Sequence, residues 1–383
     1  MFKLIKFFKD RKKKNKKLFL PLHEPDISVN DINYVTKGLK SGYVSTSGKD
    51  IQKFENKIAN FTRSKYAIGT ITGTAALHIA LKILNVNKNE EVLLPSFAFV
   101  AAANAILYNS AIPHFVDCEL KKFGVDPIKL EKYLKKNTIV RKNKCINVKT
   151  KRIIKAIIIV HIFGHPAKIR KLLKIAKKFK LKIVEDAAEA LGSLYIKKHV
   201  GTFGDVGVLS FNGNKIITTG MGGMILTNSK KLASISSHLI STSKTQHKWE
   251  FIHDKIGYNY RMPNLNATLG ISQIHKLKKL LSHKRELFKK FKKLVEGSNE
   301  LSLLDEPKDC KSNFWIQTLV LKKPSLKKRN KLLSEFHRNK ILARPIWKPL
   351  HKLKYLKKYP KMNLSNTNIL EKSAINIPSS FYL

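Results

Sequence analysis

The feature that most constrains the fold is an alternation of strand-like and helix-like segments in the middle of the chain. Residues 153–160 are mostly apolar and rich in β-branched side chains, which is typical of a central strand buried on both faces. A basic helical pattern follows at residues 169–179, and another apolar strand at residues 181–184. Strands and helices that alternate at this spacing predict a largely parallel sheet with helices on both sides.

Polar residues follow several strands of this predicted sheet. Ligands bind beyond the carboxyl ends of such strands, where we expect Asp117, Asp186 and Ser210. Lys215 comes five residues after Ser210, just before a glycine-rich stretch at residues 218–224. A pyridoxal phosphate enzyme needs a lysine that forms a Schiff base and an acid that keeps the pyridine nitrogen protonated. The combination predicts this chemistry, whereas an isolated lysine would indicate only a solvated side chain.

A possible phosphate site and a possible metal site have weaker support. The segment TGTA at residues 72–75 precedes a helical pattern, so its amides and hydroxyls could bind a phosphate or simply cap the helix. His161 and His165 are four residues apart, a spacing that can hold a metal on a helix. Gly164 and Pro166 favour a loop there, and no acid accompanies the histidines, so we predict no metal site.

The formal net charge of +49 is extreme. Such a surface attracts phosphates, which makes nucleic acid or an anionic membrane a candidate partner. Lysine is nevertheless spread along the whole chain, without a zinc-finger spacing or a basic helix with interleaved aromatic residues. We therefore expect solvated lysines, no specific nucleic-acid partner, and a surface that steers anionic sugar nucleotides towards the protein.

Cysteine usage and apolar runs indicate the compartment. Cys118, Cys145 and Cys310 are scattered and odd in number, which argues against a disulfide framework and predicts a cytoplasmic protein. No uncharged apolar run approaches the length of about 18 residues that a transmembrane helix needs, so no transmembrane segment is expected.

Composition divides the chain into three parts. Residues 1–19 form a basic N-terminal extension, predicted to be a frayed tail, with a membrane-surface helix as the alternative. Residues 20–265 form a large cofactor-binding domain, and residues 266–383 form a smaller C-terminal α+β domain. Residues 135–151 are dense in Lys and Asn and are predicted to be a surface loop or insertion.

Six motifs together resemble one known family. They are VSTSGK at 44–49, TGTAALH at 72–78, PSFAFVA at 95–101, EDAA at 185–188, SFNGNK at 210–215 and GYNYR at 257–261. On these motifs the chain, from residue 21 to residue 380, resembles the DegT/DnrJ/EryC1/StrS sugar-nucleotide aminotransferases. The resemblance implies an α/β fold of the aspartate aminotransferase type, fold type I of the pyridoxal phosphate enzymes. Its large domain would contain a mostly parallel seven-stranded sheet.

The resemblance also implies roles for individual residues. Lys215 would hold the cofactor aldehyde and later move a proton between two substrate carbons, while Asp186 would pair with the pyridine nitrogen. The other implied contacts are those of Thr74, the Ala75 amide and Ser210 with the cofactor phosphate, of Phe99 with the ring face and of Glu189 near the ring hydroxyl. Many relatives carry Gln where Glu189 stands, and an ionised carboxylate cannot donate a hydrogen bond there. Asn259 would reach the cofactor phosphate of the other subunit, which implies a homodimer with shared active sites.

The implied reaction moves an amino group from glutamate to the 4-keto carbon of a sugar nucleotide. Within the family, residues 247–251 and 344–348 among others resemble the branch that aminates UDP-4-keto-6-deoxy-N-acetylglucosamine, in legionaminic acid or bacillosamine synthesis. One alternative is the same reaction on a dTDP- or GDP-linked 4-keto-6-deoxyhexose. Related sugar dehydratases carry histidine in place of the lysine, so Lys215 argues against that reaction. An alternative of another class is a non-catalytic basic protein that binds nucleic acid or an anionic membrane.

Overall fold

The computed structural model describes residues 2–383. Its α-helices are α1 (Phe2–Lys14), α2 (Val29–Lys40), α3 (Lys49–Thr62), α4 (Gly73–Ile83), α5 (Val100–Tyr108), α6 (Pro127–Asn137), α7 (Ile169–Lys178), α8 (Lys230–Ile240), α9 (Asn264–His275), α10 (Leu277–Val295), α11 (Leu326–Arg338) and α12 (Ser365–Glu371). Its strands are β1 (Tyr66–Thr70), β2 (Glu91–Pro95), β3 (Ile112–Val116), β4 (Thr138–Arg141), β5 (Lys144–Asn147), β6 (Ile153–Val160), β7 (Lys182–Asp186), β8 (Leu194–Tyr195), β9 (Lys198–His199), β10 (Val206–Ser210), β11 (Gly223–Thr227), β12 (Leu301–Leu303), β13 (Cys310–Lys311), β14 (Gln317–Leu321), β15 (Arg344–Pro345) and β16 (Ala374–Ile377).

The main sheet has seven strands along its path, in the order β1-β11-β10-β7-β6-β2-β3. All neighbours from β10 to β3 are parallel, and β11 runs antiparallel to both β1 and β10. Strand β6, predicted as a central strand from its apolar run, lies between β7 and β2, and its last five residues are buried. The predicted fold is confirmed, with seven strands along the main path of the sheet and two more, β4 and β5, beside β6.

Strands β4 and β5 form a hairpin, so the prediction of a surface loop or insertion at residues 135–151 was wrong in its local structure. Strand β5 pairs antiparallel with the first residues of β6 and extends the main sheet. Cys145 and Asn147 alternate with Lys144 and Ile146, and only Cys145 and Asn147 are buried. This period of two is typical of a half-buried strand. The pattern covers only four residues and lies among lysines that face solvent, so the sequence does not reveal the strand.

The carboxyl ends of β7 and β10 meet at one edge of the main sheet because these strands are parallel neighbours. Asp186 ends β7 and Ser210 ends β10, and helix α4 begins beside them. A Cβ atom on Gly73 would lie 2.9 Å from the Cβ atom of Ser210, closer than real side chains approach. Glycine at position 73 therefore allows the first turn of α4 to contact the end of β10.

The C-terminal part is built on the antiparallel sheet β12-β14-β16-β15, with α10 packing beside β12 and α11 beside β16. A separate three-stranded sheet, β13-β8-β9, joins this part to the large domain. Helix α9 begins at the predicted domain limit near residue 265 and packs on α2 and α3. The limits at residues 19 and 265 stay predictions.

The N-terminal extension contains helix α1, so the prediction of a frayed tail was wrong. Leu4, Ile5 and Phe8 are buried in an apolar cluster with Phe291 of α10 and Phe336 of α11. Burial of an apolar side chain of this size contributes about 1.5–3 kcal/mol, which is enough to order a short basic helix. Because these side chains pack on the C-terminal part, they are not available to a membrane.

Candidate active site

A cavity of about 290 Å³ opens at the carboxyl edge of the main sheet. Six of the residues predicted to bind the cofactor line it: Thr74, Phe99, Asp186, Glu189, Ser210 and Lys215. Trp315 and Trp347 complete its wall from the C-terminal part of the chain. Ala75 and Asn259 are not among its lining residues.

One end of the cavity is the start of helix α4. The hydroxyl of Thr72 caps the helix by accepting a hydrogen bond from the Ala75 amide at 3.0 Å, which engages the amide predicted for the phosphate. The amides of Gly73 and Thr74 have no acceptor among residues 2–383. These amides lie with the hydroxyls of Thr74 and Ser210 at the positive end of a helix, an arrangement suited to an anion.

Asp186 lies in the middle of the cavity with few partners. Its carboxylate accepts one hydrogen bond, from the Ala188 amide at 3.1 Å. Burial raises the pKa of Asp186 above its usual value, and the Ala188 hydrogen bond and the positive charge of Lys215 only partly oppose this. A buried carboxylate in this state is stabilised by a cationic ligand.

The neighbouring acid, Glu185, points to the other side of the sheet and has many partners. It accepts a hydrogen bond from His161 Nε2 at 3.1 Å. It also accepts backbone hydrogen bonds from Gly201, Phe203 and Gly204. Although burial opposes ionisation, these hydrogen bonds lower the pKa of Glu185. Alternation along β7 thus gives Glu185 a structural role and directs Asp186 into the cavity.

Lys215 lies in a turn after β10, held between an acid and an aromatic ring. Its Nζ atom is 3.4 Å from Glu189 Oε1 and 4.0 Å from the centroid of the Trp315 ring. Glu189 Oε2 accepts a hydrogen bond from the Phe163 amide at 2.9 Å. Burial raises the pKa of Glu189, and the charge of Lys215 opposes this shift. The amine therefore lies beside an acid, in a site with little access to water.

Trp315 is a site residue that the sequence interpretation missed. Its indole N–H donates a hydrogen bond to the carbonyl of Asn214 at 2.7 Å, and its side chain is buried. Trp315 is a hundred residues from Lys215 and belongs to no motif that marks a cofactor site. At the mouth of the cavity, Phe99 is half exposed, with its ring centroid 5.9 Å from that of Trp347.

Asn259 lies in a second, more open cavity of about 790 Å³. This cavity is lined by the cationic side chains of Lys244, Lys248 and Arg261, together with hydroxyl and amide side chains. Among the described residues, no Asp or Glu lines it. It is therefore suited to a phosphate group.

The chain is similar to known aminotransferases along almost its whole length. The profile of the DegT/DnrJ/EryC1/StrS aminotransferase family matches residues 25–383. The chain is 34% identical to the GDP-perosamine synthase of Escherichia coli O157:H7, over 94% of this chain and 93% of that protein. It is 30% identical to the UDP-4-amino-4,6-dideoxy-N-acetyl-beta-L-altrosamine transaminase of Campylobacter jejuni, over 92% of this chain and 90% of that protein.

A solved structure shows the same fold. Helicobacter pylori PseC, an aminotransferase involved in the biosynthesis of pseudoaminic acid, has a TM-score of 0.86 and 24% identity, covering 94% of this chain and 93% of that one. The fold is therefore that of the type I pyridoxal phosphate aminotransferases, as predicted. Pyridoxal phosphate is the cofactor of such enzymes, and the predicted cofactor is confirmed. The chain belongs to the DegT/DnrJ/EryC1/StrS aminotransferase family and is a pyridoxal phosphate-dependent sugar-nucleotide aminotransferase.

Proposed function

We propose that this enzyme moves an amino group from glutamate to the 4-keto carbon of a 4-keto-6-deoxy sugar nucleotide, for the synthesis of a surface-glycan amino sugar. The observation that carries the proposal is the single cavity lined by Lys215, Asp186 and the start of helix α4. An amine, a buried acid and an anion site are the three contacts that pyridoxal phosphate requires.

The residues of the cavity suit the cofactor. The hydroxyls of Thr74 and Ser210 would bind the phosphate together with the first amides of α4. Asp186 would pair with the protonated pyridine nitrogen. This cation would stabilise the ionised carboxylate, which burial disfavours. The exposed ring of Phe99 would stack on the cofactor. When bound, pyridoxal phosphate supplies an electron sink for negative charge on the carbon that loses or gains a proton.

Lys215 would hold the cofactor aldehyde and then carry the proton. A lysine suits both tasks because its neutral amine is a nucleophile and a general base. The carboxylate of Glu189, 3.4 Å away, can hold the protonated amine close to the reacting carbons between the two proton transfers. This gives Glu189 a function that does not require it to donate a hydrogen bond to the cofactor.

Two nucleotides are candidates. The similarity to a GDP-perosamine synthase supports a GDP-linked 4-keto-6-deoxyhexose. The similarity to a transaminase of a UDP-linked dideoxy sugar supports the predicted UDP-4-keto-6-deoxy-N-acetylglucosamine. Because the GDP-linked relative has the higher identity, we place the GDP-linked sugar first and keep the UDP-linked sugar as the second candidate.

An end-point assay tests both the reaction and the nucleotide. The enzyme is incubated with pyridoxal phosphate, glutamate and one of three 4-keto-6-deoxy sugar nucleotides, the GDP-, UDP-N-acetyl- or dTDP-linked form. We expect 2-oxoglutarate and an amino sugar with the GDP-linked form. Product with only the UDP- or dTDP-linked form would contradict the proposed GDP-linked substrate and support the proposed reaction. No product with any form would contradict the proposed reaction.

We also propose that the enzyme is a homodimer in which Asn259 serves the cofactor of the other subunit. Support comes from the position of Asn259, which lies outside the Lys215 cavity in an exposed basic cavity. The test mixes two impaired variants, Lys215→Ala and Asn259→Ala, after dissociation and reassociation. Hybrid dimers then contain one intact site, so activity should recover to about a quarter of the wild-type value. No recovery, or a monomer by light scattering, contradicts shared sites.

The alternative of a non-catalytic basic protein is not supported, because the chain belongs to an aminotransferase family. Among residues 2–383, no helix combines the length and the apolar composition needed to cross a bilayer.

A further inference from the structure

Trp315 makes two separate contacts with the segment that carries Lys215. The Lys215 ammonium lies 4.0 Å from the centroid of the indole ring, where the ring face attracts a cation. The indole N–H donates to the carbonyl of Asn214, the residue before Lys215, at 2.7 Å. One side chain thus touches both the amine and the peptide that leads to it.

Trp315 is itself fixed by polar contacts. Its amide donates to Asn313 Oδ1 at 2.9 Å, and its carbonyl accepts a hydrogen bond from Lys284 Nζ at 3.0 Å. Lys284 is 2% exposed, has no acidic partner among the described residues, and also donates to the Ser379 carbonyl. A buried lysine is costly without such hydrogen bonds, so these contacts hold the backbone at Trp315 firmly.

The same segment also holds the acid beside Lys215. The Asn313 side-chain amide donates to the carbonyls of Glu189 and Leu191, at 2.8 and 2.9 Å. Residues 313–315 therefore hold the backbone of Glu189, whose carboxylate contacts the Lys215 amine, and place the Trp315 ring against the same amine. These residues belong to the C-terminal part of the chain, whereas Lys215 belongs to the large domain.

We propose that Trp315 is a positioning residue for Lys215: its ring face holds the amine, and its indole N–H fixes the peptide before it. The inference rests on the proposed role of Lys215 in the reaction. It predicts that the C-terminal part of the chain controls where the amine lies and how accessible it is, before any substrate binds.

The test measures the reactivity of Lys215 in the cofactor-free protein. An amine-selective acylating reagent is applied at neutral pH, and the labelling rate of the Lys215 peptide is followed by mass spectrometry, with exposed lysines as internal standards. In Trp315→Leu, which removes both contacts, we expect about tenfold faster labelling. In Trp315→Phe, which keeps a ring but loses the indole N–H, we expect an increase of about threefold.

Phe314→Leu is the matched control. It truncates a buried aromatic ring in the same segment, stacked on Phe288 with centroids 4.2 Å apart. The other ring contacts of Phe314 are with His165 and Arg285. Its Lys215 labelling rate should equal that of the wild type. Equal rates in Trp315→Leu and the wild type, or equal acceleration in Phe314→Leu, overturn the proposal.

A second measurement applies if thermal melting shows that Trp315→Leu is unfolded. Lys215→Gln should change the tryptophan emission of the otherwise wild-type protein, and this change should vanish in a Trp315→Phe background. Emission that does not respond to Lys215→Gln overturns the proposal. Neither measurement needs cofactor or sugar. If Trp315→Leu accelerates labelling of Lys215 but the wild-type protein does not transaminate, the proposed function is contradicted and the positioning role of Trp315 stands.

Discussion

Buried acids lie at both ends of the main sheet, and their surroundings are opposite. Glu91, at the amino end of β2, accepts hydrogen bonds from His114 at 2.7 Å, Asn147 at 2.9 Å and Thr150 at 2.5 Å. Burial opposes its ionisation, but these bonds outweigh burial and lower the pKa of Glu91. At the carboxyl end, Asp186 and Glu189 have few partners, and burial raises the pKa of both.

The difference separates stabilising acids from acids placed for a ligand. A buried carboxylate with several donors contributes to folding, whereas one with few donors costs free energy until a partner arrives. Glu91 therefore belongs to the scaffold, where it connects β2, β3 and the β4–β5 hairpin. Asp186 and Glu189 lie where parallel strands end and ligands bind.

Replacement of Lys215, the amine beside Glu189, should have the strongest effect on turnover. Lys215→Ala should lower turnover by at least about a thousandfold and abolish the absorbance of the lysine-linked cofactor, because no other lysine among residues 2–383 lines the cavity. Steady-state assays and absorbance spectra measure both. Lys174→Ala, an exposed lysine on α7, should leave turnover unchanged. Sustained multiple turnover by Lys215→Ala would refute the role assigned to Lys215.

The second prediction compares Asp186 with Glu91 by the effect of each substitution on turnover and on stability. Asp186→Asn removes the charge that would keep the pyridine nitrogen protonated, and we expect turnover to fall by about 100-fold or more. The melting temperature of the cofactor-free protein should stay the same or rise, because a costly buried charge is gone. Loss of stability with turnover preserved would make Asp186 a scaffold acid like Glu91.

Glu91→Gln should show the reverse pattern. The substitution weakens the hydrogen bonds that Glu91 accepts from His114, Asn147 and Thr150. The free energy of unfolding should therefore fall by about 2–3 kcal/mol. The turnover number of the folded enzyme should match the wild type, because Glu91 is at the opposite end of the sheet from the cavity. Urea unfolding measures the free energy of unfolding. A change in turnover would contradict the purely structural role of Glu91.

The smallest effect is on how stability depends on pH. Because the pKa of Glu91 is lowered, its contribution is present above the ordinary carboxyl pKa and is lost as the pH falls through its native value. The raised pKa values of Asp186 and Glu189 act in the opposite sense. Between the ordinary pKa, about 4, and the raised values, the native cofactor-free protein binds more protons than the unfolded chain, so stability falls as the pH rises.

Melting of the cofactor-free protein across this range checks the sign. The double variant Asp186→Asn, Glu189→Gln should lose the decline with rising pH, an effect of about 1–2 kcal/mol. Glu91→Gln should keep that decline and lose stability that the wild type retains near neutral pH. An unchanged decline in the double variant contradicts the assignment of raised pKa values to the carboxyl end.

Much of the fold could be predicted because its signals are local. The apolar strand β6, the helix that follows it and the acid at the end of β7 are contiguous in sequence, and parallel pairing then brings strand ends together. Helix α1 and the β4–β5 hairpin were missed. In both, lysines facing solvent obscure a few buried residues, such as Phe8 and Cys145, whose burial depends on partners far along the chain.

The chemistry could be predicted from the sequence, because Asp186 and Ser210 end parallel strands at one edge of the sheet and Lys215 follows five residues later. The tertiary structure was needed to show how the two adjacent acids are surrounded, because Glu185 accepts backbone hydrogen bonds such as that from Gly201, whereas Asp186 accepts one from Ala188. It also decided that Trp315 lies over Lys215. That contact joins residues a hundred positions apart, and no local propensity encodes it, because it forms only when the C-terminal part packs on the large domain.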